Sequence, residues 1–157
     1  MLDLTHMERY HEGNRLEAKL ATGGLPESIW ETYSAFANTE GGLILLGVEE
    51  WEDHSLHIQG LLDPEEMLAQ FLSLCADPKV VSADLIGGGQ GRAQVMETAQ
   101  GAVIAIELPP APAGQRPVYV GGDRYRGSYC RKGDGDYRLS REMVDRMGGV
   151  PPVEERN

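Results

Sequence analysis

Tyr33-Ser34-Ala35-Phe36-Ala37-Asn38-Thr39-Glu40-Gly41-Gly42 runs directly into Leu43-Ile44-Leu45-Leu46-Gly47-Val48. The first half closes an amphipathic helix, because Ile29, Trp30, Tyr33, Phe36 and Ala37 recur at helical spacing along one face. Pro26 precedes them at the first helical position, where its missing N–H costs nothing. The glycine pair offers a left-handed cap. Residues 43–48 are apolar on both faces, which predicts a fully buried central strand ending at Glu49-Glu50. A helix, a glycine turn and a two-sided strand therefore form the centre of the fold.

Upstream, residues 15–20 alternate polar and apolar, the pattern of a half-buried strand. Leu16, Ala18 and Leu20 are expected inward, with Arg15, Glu17 and Lys19 on the other face, and residues 1–11 read as a polar lead-in. Downstream, 51–57 is a polar excursion and 56–58 a short edge strand. Asp63-Pro64-Glu65-Glu66 starts a second helix, with Asp63 as N-cap and Pro64 at N1. Its stripe is Met67, Leu68, Phe71, Leu72 and Cys75, and Asp77-Pro78 stops it. Strands are predicted near 80–86, 92–97, 102–108, 117–120 and 126–132, with a glycine turn at 87–91. Ser140 caps a short last helix, with Leu139 and Val144 as a hydrophobic staple. The reading is one α+β domain over 12–148: a mixed β-sheet packed by two main helices and a short C-terminal helix, with 149–157 as a tail or linker.

A length of 157 residues suits one domain, and 41% hydrophobic with 25% charged residues excludes collagen, a disulfide scaffold and wholesale disorder. The apolar runs are too short for a membrane span. Cys75 and Cys130 form no C-x-x-C pair, and no basic-then-apolar leader opens the chain, so a free-thiol cytoplasmic protein is expected. Net charge is −11, yet residues 116–146 hold 8 basic and 5 acidic side chains. A polyanion would meet that stretch first. There, Arg124, Arg126, Arg131, Lys132 and Arg138 bracket Tyr125, Tyr129 and Tyr137. Aromatics beside arginines suit unpaired bases and phosphate, while a solvated, salt-bridged edge is the plainer alternative. The glycine run 87–91 lacks the Gly-Lys-Ser/Thr ending of a phosphate loop, and His54 and His57 have no second ligand pair.

Three segments resemble the Alba-like domain of the Schlafen family. They are Glu12-Gly13-Asn14-Arg15-Leu16-Glu17-Ala18-Lys19, the Tyr33–Val48 stretch, and Gly127-Ser128-Tyr129-Cys130-Arg131-Lys132-Gly133-Asp134-Gly135-Asp136-Tyr137. Ala18 stands where the family often has Phe. In bacteria such domains front DNA-binding or ATP-binding regulators. The resemblance implies nucleic-acid binding, with RNA such as tRNA favoured over duplex DNA, through Arg124, Arg126, Tyr129, Arg131, Lys132 and Arg138. It further implies a divalent-metal endoribonuclease site at Glu12, Glu17 and Glu50, holding Mg²⁺ or Mn²⁺; Lys19, on the strand face of Glu17, is expected to contact phosphate or the leaving oxygen. Hard carboxylate oxygens suit such ions. With 25 acidic residues in the chain, surface charge pairs are an alternative account of the same three acids. The alternative function is a non-catalytic DNA- or partner-binding module of a transcriptional regulator or defence system. Eukaryotic relatives carry two such lobes in one chain, which implies a homodimer for a single lobe.

Overall fold

The computed structural model describes residues 3–149. In chain order its elements are β1 (Leu16–Lys19), α1 (Ile29–Ala37), β2 (Gly42–Leu46), β3 (Val48–Glu50), β4 (Leu56–Ile58), α2 (Pro64–Cys75), β5 (Arg92–Thr98), β6 (Gly101–Leu108), α3 (Arg124–Gly127), β7 (Tyr129–Lys132), β8 (Gly135–Arg138) and α4 (Arg141–Met147). Four strands form a mixed sheet in the order β1-β2-β6-β5. β1 runs parallel to β2, and the other neighbours are antiparallel.

β2 and β6 are apolar on both sides because both faces of the sheet are covered. Ile44, Leu46, Ile104 and Ile106 meet Ile29, Tyr33 and Phe36 of α1 and Phe71 of α2. On the opposite face, Leu45, Val103 and Ala105 meet Met7, Val48 and Leu56. Helix starts follow the expected chemistry. Asp63 accepts the Glu66 N–H, Pro64 opens α2, and Ser140 accepts the Met143 N–H while Leu139 and Val144 are buried beside it. α1 begins at Ile29, one turn later than Pro26 suggested; a turn from Pro26 to Ile29 leads into it.

The structure corrects several strand readings. The 43–48 strand breaks at Gly47, whose φ of +91° turns the chain. Gly47 donates its N–H to the Lys19 carbonyl at 2.8 Å and accepts from Gln59 and Gly60, so β3 leaves the sheet to pair with β4. Residues 80–86 are irregular, held by a single bridge between Val81 and Val120 and by the Tyr33 hydroxyl. That hydroxyl donates to the Ala83 carbonyl and accepts the Leu85 N–H. Residues 117–120 likewise make only isolated bridges. The 126–132 strand divides, because Asp123 caps the single turn of α3 and β7 begins only at Tyr129. β8 is an unforeseen partner for β7. The lead-in contains a 3-10 helix, Leu4–Arg9, that buries Met7. Residues 150–157 of the expected tail lie outside the described residues.

Candidate functional site

β1 places Glu17 and Lys19 on the sheet face that carries α1, since Glu17 is level with the buried Ile44. Expected as an outer polar face, this side of β1 is roofed over: the Glu17 and Lys19 side chains are only 14% and 11% exposed. Lys19 Nζ lies 3.3 Å from Glu17 Oε2 and donates to Ser28 Oγ at 3.0 Å. The other Glu17 oxygen meets Arg131 Nη2 at 2.8 Å. Glu12 bends back before the strand, and its Oε2 accepts the Ala18 N–H at 2.9 Å. Glu50 sits at the end of β3, with His54 Nδ1 at 3.6 Å from its Oε2.

The three acids share one electrostatic field. Burial chiefly, with the charges of Glu17 and Glu50 added, raises the Glu12 carboxyl to about 7. The Ala18 N–H and Arg131 pull the other way without cancelling that rise. The cluster does not fit a resident divalent ion as it stands, because Glu17 already gives both oxygens to cations and Glu12 gives one to the backbone. Among the described residues no group of three His, Cys, Asp or Glu side chains is arranged to hold a metal ion.

Arg131 joins this cluster to the helix. Its side chain is fully buried. Beyond Glu17, it binds Asp136 at 2.8 Å and the carbonyls of Gly13 and Leu16 at 2.9 and 3.1 Å, and it lies 4.9 Å over the Phe36 ring. Asp136 in turn accepts from Thr32 Oγ1 at 2.7 Å. Thus Arg131, expected at a nucleic-acid surface, is an interior residue. Tyr129 and Arg131 do share a face, as strand alternation requires, but at Arg131 that face closes on Phe36 of α1.

The polar residues of the helix-end motif hold the same hairpin. Ser34 Oγ donates to the Val118 carbonyl and accepts the Tyr129 N–H. Asn38 donates to the carbonyls of Val118 and Tyr129 and accepts the Val118 N–H at 2.7 Å. Thr39 Oγ1 accepts the Arg131 N–H. Helix-end capping alone does not account for Asn38 and Thr39; they clamp a segment some eighty residues away in sequence. The sequence signal was the run of small polar residues on an otherwise apolar helix.

The remaining expected contacts are at the surface. Arg124 and Arg126 on α3, Lys132 on β7 and Arg138 on β8 are exposed. Arg126 is 85% exposed and only 3.8 Å from Asp123. Tyr137, one of the three tyrosines bracketed by basic residues in the sequence, is 53% exposed and shares the outer hairpin face with Lys132. Tyr129 is half-buried and lines an open groove of about 840 Å³ with Trp30, Lys79 and Gly121. Tyr125 is engaged elsewhere: its hydroxyl donates to Asp145, and Arg141 lies 4.0 Å over its ring.

Against known proteins, the family model described as Schlafen, AlbA_2 matches residues 12–140. The solution structure of the N-terminal domain of a RecG-related protein from Nitrosomonas europaea is similar in fold. It has a TM-score of 0.63 and 23% identity, over 98% of this chain and 95% of that one. No curated protein matches.

Proposed function

This chain belongs to the Schlafen AlbA_2 family, and from that premise we propose that it is a nucleic-acid-binding domain whose contact surface is α3 with the β7–β8 hairpin. The observation that carries the proposal is the exposure of Arg124, Arg126, Lys132 and Arg138 along one short stretch of chain, with an exposed Tyr137 on the same hairpin face as Lys132, in a chain of net charge −11. Cations so placed supply phosphate affinity. A half-exposed tyrosine beside a lysine offers a stacking platform, which favours single-stranded RNA over duplex DNA. The domain works in the cytoplasm, where Cys75 and Cys130 stay reduced.

The test is fluorescence anisotropy with a labelled single-stranded RNA and a duplex DNA of matching sequence. Wild type is compared with the combined Arg126→Ala, Lys132→Ala and Arg138→Ala variant. Binding to RNA that the variant loses supports the proposal. Equal binding by both proteins, or none by wild type, overturns it. Binding to duplex DNA alone would move the domain to the regulatory reading.

A second reading, divalent-dependent cleavage of RNA, draws on one observation: burial chiefly, with the charges of Glu17 and Glu50 added to it, raises the Glu12 carboxyl. An ion of Mg²⁺ or Mn²⁺ type could use Glu17 only after Arg131 or Lys19 let go of it. Incubation of mixed tRNA with Mn²⁺ or Mg²⁺ against EDTA, for wild type and Glu17→Gln, decides it. Metal-dependent cutting absent in the variant would establish the activity, and intact tRNA in every lane would leave a binding module.

A further inference from the structure

The two edges of the sheet are treated differently. At the β1 edge, Gly13 and Leu16 exchange backbone hydrogen bonds, Arg131 donates to the Leu16 carbonyl, and the Glu12 carboxylate takes the Ala18 N–H. Those contacts close the edge against any added strand. β5 forms the other edge, seven residues long, and among the described residues carries no such closure.

The ladder shows which groups β5 leaves open. Ala102 of β6 stands opposite Glu97, and its carbonyl accepts from Leu61 at 2.9 Å, away from β5. In an antiparallel pair, opposite residues point their backbone groups either toward each other or away together, alternating along the strand. Glu97, Val95 and Ala93 therefore turn N–H and C=O outward, while Met96, Gln94 and Arg92 bond to β6. Among the described residues no hydrogen bond reaches the outward groups.

We propose that β5 is a self-association edge: two copies of this chain pair β5 with β5, antiparallel, about a two-fold axis at Val95, to make one continuous sheet. The register fits this occupant. Val95 faces Val95 of the second copy, and Ala93 and Glu97 face each other, so the outward groups meet in hydrogen-bonded pairs. Arg92 then faces Thr98, and Gln94 faces Met96. No like charges stand opposite one another, which would be destabilising. With one Arg and one Glu, β5 is a neutral strip on a chain of net charge −11, where two acidic copies can approach. The proposal is independent of nucleic-acid binding and of the acid cluster.

Analytical ultracentrifugation over a wide concentration range tests it, together with amide hydrogen exchange of wild type. The comparison variant is Glu97→Pro. Proline there removes an outward N–H while leaving the β6 ladder intact, a position where edge strands tolerate it. The expected result is a wild-type dimer, weakened on the order of tenfold or more in Glu97→Pro. Concentration-dependent protection should appear at Ala93, Val95 and Glu97, and not at Gln94 or Met96, which stay protected throughout. A wild type that remains monomeric overturns the proposal and leaves the edge to a foreign strand. So does a dimer in which Ala93, Val95 and Glu97 exchange freely. The exchange measurement on wild type decides the matter even if the proline variant fails to fold.

Discussion

Replacing Arg131 with Met would leave Glu17 and Asp136 without the guanidinium that both contact at 2.8 Å. Breaking a buried ion pair by removing one partner costs about 3–5 kcal/mol. Chemical denaturation of Arg131→Met should show a loss of that size, whereas Arg138→Ala, at an exposed position, should be near neutral in stability. The buried arginine thus acts on folding, and the exposed one belongs to the proposed binding surface. Glu12 offers a second test. Its carboxyl stands at about 7 in the folded chain against an ordinary 4.5, so the folded state holds the proton more tightly than the unfolded one. The stability this contributes is fully present below about 4.5 and is lost as pH rises through about 7. Urea midpoints followed from pH 4 to 8 should therefore decline more in wild type than in Glu12→Gln.

At the scale of elements, α1 and the β7–β8 hairpin are joined mainly by polar contacts from one helix end. Asn38→Ala would remove hydrogen bonds to both backbone groups of the buried Val118 and to the carbonyl of half-buried Tyr129; the Val118 carbonyl would keep the Ser34 hydroxyl, while the Val118 N–H would lose its acceptor. Unsatisfied buried groups cost about 1–3 kcal/mol each. Thermal unfolding should register that loss, and amide exchange should rise first along 118–132. Gly47 governs a different junction. A side chain at its φ of +91° is strained, and a Cβ would stand 3.0 Å from Leu61 Cγ. Gly47→Ala should cost about 1–3 kcal/mol by denaturant titration. It should also loosen β3–β4, and with it the position of Glu50.

For the whole molecule, a net charge of −11 and a basic hairpin make any polyanion complex sensitive to ionic strength. Each phosphate contact contributes about 0.7 to the slope of log affinity against log salt for single strands. Removing Arg126, Lys132 and Arg138 together should flatten that slope by roughly 2. If the slope is unchanged while affinity falls, those side chains act through the fold and not on phosphate. The sequence made much of this architecture legible: the helix–glycine–strand unit, the capped starts of α2 and α4, and the adjacent strands β5 and β6 each follow from local periodicity. The same local signals misread 80–86 as a strand, because Val80 and Val81 satisfy the pattern while their backbone partners lie elsewhere.

Sequence alone determined which segments carry apolar faces, where helices are capped, and that basic side chains concentrate late in the chain, because each of these is a property of neighbours along the backbone. It also carried the motifs by which the family is recognised. Only the tertiary structure decided that Arg131 is interior and Arg138 is not, that Ser34, Asn38 and Thr39 hold a distant hairpin, and that Glu17 is neutralised by cations from β1 and β7. Alternation assigns Tyr129 and Arg131 to one face of a strand, but it does not say which face meets a helix. That choice depends on how β7 docks on α1, a contact between residues about a hundred positions apart.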